Sequence, residues 1–62
     1  MNRLREIRAR RRVTQFQLRL LTAIHQSRIS MIENGLIDPR EDEKKIIAKA
    51  LGVGTEEIWR KD

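Results

Sequence analysis

Sixty-two residues with a formal net charge of +5 make one small, basic chain, near the lower limit at which an apolar core holds a fold without staples. Cysteine is absent, so a disulfide framework and thiolate metal sites are excluded, which fits a reducing cytoplasm, and a lone His builds no metal site by itself. One Phe, one Trp and no Tyr leave little for a base-stacking platform or an aromatic ligand pocket, and no apolar run nears the roughly 20 residues of a membrane span.

The pattern is helical throughout and is expected to form one domain over residues 1–62. In a first helix Leu4, Ile7, Arg8 and Arg11 share a face, with Asn2 as a possible N-cap. Thr14 caps a second helix over about Gln15 to Thr22, in which Leu18, Leu21 and Thr22 fall at i, i+3, i+4. A short break at Ala23-Ile24 leads to a third, with His25 in the cap place, stopped by Asn34-Gly35 because Gly suits the left-handed C′ position. Leu36 to Arg40 is a loop marked by Asp38-Pro39. A fourth helix runs from about Glu41 to Leu51, with Ile47, Ala48 and Leu51 inward, acids first and lysines later, as its dipole favours. Gly52-Val53-Gly54 ends it. Thr55 caps a fifth, "EEIW", whose Ile58 and Trp59 close the core. No strand is expected.

Charge is segregated along the chain. Residues 1–31 hold eight Arg against one acid, Glu6, while residues 32–62 hold six basic residues against eight acids. A basic half is the footprint of a polyanion partner, and Arg suits phosphate forks better than Lys. In the third helix Ile29, Ile32 and Glu33 turn inward, and Ser27, Ser30, Met31 and Asn34 turn outward with Gln26 and Arg28 on the flanks. Arg8 and Glu33 are opposite charges, each on an apolar face. Either alone in the core costs several kcal/mol, so they are expected to pair rather than reach water separately.

The stretch "TQFQL…IHQSRISMIENG" resembles the helix-turn-helix of the phage-repressor and Cro-like (Xre) family, in Thr14, Gln15, Leu18, Ile29, Ser30, Ile32, Glu33, Asn34 and Gly35 at identical spacing. Leu4, Ile7 and Arg8 match that family's first helix; "IAKALGV" and "EEIW" match its last two. The resemblance implies an all-α, compact five-helix repressor-like domain with the helix-turn-helix at helices 2–3. It implies that helix two lies over the DNA backbone while helix three enters the major groove. It assigns Gln26, Ser27 and Met31 to base edges, and Gln15, Asn34 and the loop to Arg40 to phosphates. The Arg8–Glu33 pair recurs in the family. The chemistry agrees: Gln suits adenine N6 and N7, Ser serves several bases, and Met meets a thymine methyl. Arg28 on the flank is better placed for phosphate, and Arg11, with Arg10 and Arg12, is either a phosphate clamp or a solvated charge run.

The chain departs from the family pattern at several places. Arg12 and Ala23 stand where Gly is common, and strain is expected at Ala23. Arg19 replaces a small residue, Thr22 and Lys44 replace apolar ones, Glu41 is likewise polar, and Phe16, Leu20 and Ile46 are apolar at usually exposed places. Packing near helix two is therefore expected to be unusual, and Phe16 with Leu20 offers a stripe for a partner.

The function expected is a sequence-specific DNA-binding regulator, cytoplasmic and without cofactor or metal. Its partners are double-stranded DNA and a second copy of itself; the candidate dimer interface is helix five with Trp59, which also has a role in the core. The alternative is a protein-binding adaptor or antitoxin-like module, disfavoured by the polar outer face of helix three. Enzyme chemistry is not expected, since no nucleophile–base set, metal cluster or phosphate-cradling glycine loop is present.

Overall fold

The computed structural model describes residues 2–60. Five helices follow one another among them: α1 (Leu4–Arg10), α2 (Gln15–Thr22), α3 (Gln26–Glu33), α4 (Glu41–Leu51) and α5 (Thr55–Ile58). Their inward residues form one core, in which Leu4, Leu18, Ile29, Ile32, Ile47 and Ile58 are fully buried. α2 packs against both α3 and α4, and α4 against α5. Removing this much branched apolar surface from water is the main stabilising term available to so short a chain.

The ends of α1 fasten it to distant elements. The Arg3 N–H donates to the Ile58 carbonyl at 3.0 Å, and Asn2 Nδ2 to the Ile32 carbonyl at 2.7 Å. Asn2 also caps, since its Oδ1 accepts the Leu4 N–H at 3.0 Å, although the boundary residue of the helix is Arg3. Arg11 lies past the end of α1 and is exposed, so it does not share the inward face expected of it.

Three helices end in the same way. After α1 the Val13 N–H reaches back to the Arg8 carbonyl; after α3 Leu36 reaches Met31; after α4 Val53 reaches Ala48. Each such closure places one residue in the left-handed region: Arg12 at φ 55°, Gly35 at 71° and Gly52 at 70°. Arg12 does there what glycine does at the other two.

α2 is fixed at its start by a capping box. Thr14 Oγ1 accepts the Gln17 N–H at 3.0 Å, and Gln17 Oε1 accepts the Thr14 N–H at 2.8 Å. Leu18 and Thr22 are buried as expected, but Leu21 is 59% exposed. At about 100° per residue it lies roughly a quarter-turn off the face that Leu18 and Thr22 share, and among the described residues no other element buries it. Thr22 is accommodated because its hydroxyl donates to the Leu18 carbonyl at 2.7 Å and accepts the Ile24 N–H at 3.2 Å. Arg19 is exposed and does not obstruct the packing of α2 on α3.

Two expectations at the C-terminal end are corrected. Thr55 is the first residue of α5 rather than its cap; Glu57 Oε2 accepts the Gly54 N–H at 2.8 Å and closes the turn. Trp59 follows the helix rather than belonging to it, packs half-buried against the core, and carries the Lys44 ammonium 6.0 Å from its ring centroid.

Candidate nucleic-acid interface

α3 presents a face because its opposite side is held from three directions. Glu33, whose side chain is fully buried, takes Arg8 Nε on Oε2 at 2.6 Å, and on Oε1 takes Arg8 Nη2 at 3.3 Å and Gln15 Nε2 at 2.9 Å. Arg5 Nε stands 3.6 Å from Oε1. Arg8 Nη1 reaches on to the Val13 carbonyl at 2.9 Å, which ties the turn between α1 and α2 into the same network. The pairing read from the sequence is therefore present, enlarged by Gln15 and Arg5. Burial pushes the Glu33 pKa up, but the hydrogen bonds from Arg8 and Gln15 and the charges of Arg8 and Arg5 outweigh it. The carboxyl is held below its ordinary range.

The turn into α3 is set by Ala23, in the left-handed conformation at φ 61°. His25 then caps the helix through its ring. Nδ1 accepts the Ser27 N–H at 3.2 Å and lies 2.8 Å from Ser27 Oγ. His25 is thus both exposed, as expected of it, and a working cap.

On the outward side Ser27, Met31 and Asn34 are exposed, and Gln26 and Ser30 are half-buried. The Asn34 amide donates to the Ser30 carbonyl at 2.9 Å, while its Oδ1 accepts from Arg5 Nη2 at 2.9 Å. That contact brings Arg5, 64% exposed at its side chain, to the C-terminal end of the face. Arg40 is exposed beyond the other flank, 3.6 Å from Asp42, and Arg11 is exposed after α1. Of the site residues read from the sequence, Gln26, Ser27 and Met31 share one face with Asn34 at its end, while Arg11 and Arg40 stand apart from it, exposed. Gln15 is turned toward Glu33, which occupies one of its amide hydrogens.

Arg28 is not the free cation that a phosphate contact calls for. Its Nε and Nη2 donate to Glu43 Oε2 and Oε1 at 2.7 and 2.9 Å, across to α4. Glu43 is buried, and Oε1 also accepts the Arg40 N–H at 2.8 Å. The hydrogen bonds from Arg28 hold the Glu43 pKa down at about 2, against the opposing effect of burial.

Arg5 and Glu43 are the residues of this candidate surface that sequence reasoning missed. Arg5 had a signal, three residues before Arg8 on the same helix. Glu43 had none, because it is one of three consecutive acids that the helix dipole alone accounts for.

Among the described residues no helix is long and apolar enough to cross a membrane. Compared with models of protein families, the chain matches one described as a helix-turn-helix domain, over residues 2–59. A comparison with curated proteins gives no match.

Proposed function

Because the chain belongs to the helix-turn-helix domain family, a class of DNA-binding modules, we propose that it is a sequence-specific transcriptional regulator of the phage-repressor and Cro-like kind. It acts from the cytoplasm, by binding rather than catalysis. α3 enters the major groove with Gln26, Ser27 and Met31 toward base edges. Gln15, Asn34, Arg40 and Arg11 meet phosphates, and Arg5 joins them. The observation that carries this reading is the contrast between the two sides of α3. One side is fixed by Ile29, Ile32 and the Glu33 network; the other is exposed, polar and flanked by Arg5 and Arg40. A rigid polar face in a basic setting suits directional hydrogen bonding to a polyanion.

The protein binds as a homodimer on a palindromic operator with half-sites about 34 Å apart. α5 with Trp59 is the proposed interface. Its support is a concavity lined by Glu41, Lys44, Thr55, Glu56, Trp59 and Arg60, together with a buried indole Nε1 that has no hydrogen-bond partner among the described residues. Selection of duplexes from a random pool, followed by sizing of the complex, tests both statements. A palindromic site occupied by two chains is expected. Failure to enrich any sequence overturns specific DNA binding, and a single chain per site overturns the dimer.

One observation favours a second reading, a protein-binding module on the same fold. Phe16, Leu20 and Leu21 on the outer side of α2 are 52%, 67% and 59% exposed, and Leu20 and Leu21 line a shallow groove with Arg12, Val13 and Gln17. The polar face of α3 is the reason it stands second.

A further inference from the structure

Arg28 leaves the flank of α3 with one whole edge of its guanidinium already occupied. Nε and Nη2 are bound to Glu43, whose carboxylate is itself fixed by the Arg40 N–H at the start of α4. The Arg28 side chain is nonetheless 38% exposed. The donors that do not face Glu43 are on Nη1 and on the second hydrogen of Nη2, which together form the end-on fork of the group.

An arginine held in this way suits a base better than a phosphate. Glu43 offsets most of its charge, and Arg40, 3.8 Å from the same carboxylate, is offset in turn by Asp42 at 3.6 Å, so an arriving phosphate meets a cluster of little net charge with a carboxylate directly behind the Arg28 guanidinium. The Coulombic and counterion-release terms that dominate phosphate binding are then largely absent. What survives is direction. Two parallel N–H groups match O6 and N7 of guanine in the major groove, and a side chain ordered before binding loses less rotamer freedom on docking. Arg28 is the third residue of α3, in the half of a recognition helix that meets base edges.

Resting on the DNA-binding reading above, we propose that Arg28 is a specificity-determining residue that reads a guanine, and that Glu43 is the positioning residue that aims it. Four proteins test this: the unaltered chain, Arg28→Lys, Glu43→Gln and the double variant, each checked for folding by thermal melting and put through the same random-site selection. The unaltered chain enriches a guanine at one position of each half-site. Arg28→Lys and Glu43→Gln each relax that same position about tenfold. The double variant relaxes it no further than the worse single one, and other positions keep their preference.

A parent chain that selects a site while Arg28→Lys loses affinity equally on every sequence makes Arg28 a phosphate contact and overturns the inference alone. A parent chain that selects no site overturns the DNA-binding reading, and the inference with it. Should Glu43→Gln fail to fold, Arg28→Lys decides the matter, since it leaves the Glu43 contact with the Arg40 N–H in place.

Discussion

Ala23 and Arg12 sit at φ 61° and 55°, where a side chain costs roughly 1–2 kcal/mol that glycine avoids. Glycine loses more freedom on folding and returns part of that gain. Ala23→Gly is therefore expected to raise stability by about 1 kcal/mol in urea titration, and an unchanged or lower midpoint would mean the turn is unstrained. Glu33 is the opposite case. Its carboxylate gathers Arg8 and Gln15 with its side chain wholly buried. Glu33→Ala strands Arg8, and is expected to cost about 3 kcal/mol in the same titration, as removal of one partner from a buried pair does. Half of this network was legible in the sequence: Arg8 and Glu33 each lie on an apolar stripe, and two such anomalies of opposite sign explain one another. Gln15 was not, because a polar residue opening a helix reads as solvated whichever way its amide turns.

The helices were legible where their ends carry local chemistry. Thr14, Asn34 with Gly35, and Gly52 all mark boundaries that the backbone obeys. The readings failed where tertiary contact decides. Leu21 satisfies the helical spacing yet faces outward, since periodicity gives a stripe but not the neighbour that covers it. Thr55 looked like a cap, but Glu57 closes that turn from inside the helix. The contact from α3 to α4 through Arg28 and Glu43 was likewise invisible, and it has a consequence in acid. Glu43 titrates at about 2 in the folded chain against an ordinary 4.5. A depressed carboxyl contributes its full stability above the ordinary value, and loses it as pH falls through the window from about 4.5 to about 2. Glu33, also held low, adds in the same direction. Urea midpoints are thus expected to hold from neutrality to pH 5 and to fall steeply below pH 4. Glu43→Gln is expected to flatten that fall; an equally steep fall in the variant would remove Glu43 as a cause.

For the whole molecule, the division of charge along the chain becomes a division among its helices. From Ile7 to Ile32 there is no acid, and this basic segment contains α2 and nearly all of α3. Such a surface attracts any polyanion, so affinity by itself says little about what α3 does. The resemblance in "TQFQL…IHQSRISMIENG" was the strongest signal in the sequence because it covers turn, core and outer face together, and the all-helical fold with its tight α2–α3 turn agrees with it. Target preference was illegible, since exposed side chains are not constrained by packing. Base reading by α3 is put to the proof by equilibrium binding of the unaltered chain and Gln26→Ala to the selected duplex and to a scrambled one. A loss of about 1–3 kcal/mol is expected on the selected duplex and almost none on the scrambled one. Equal losses on both would contradict it.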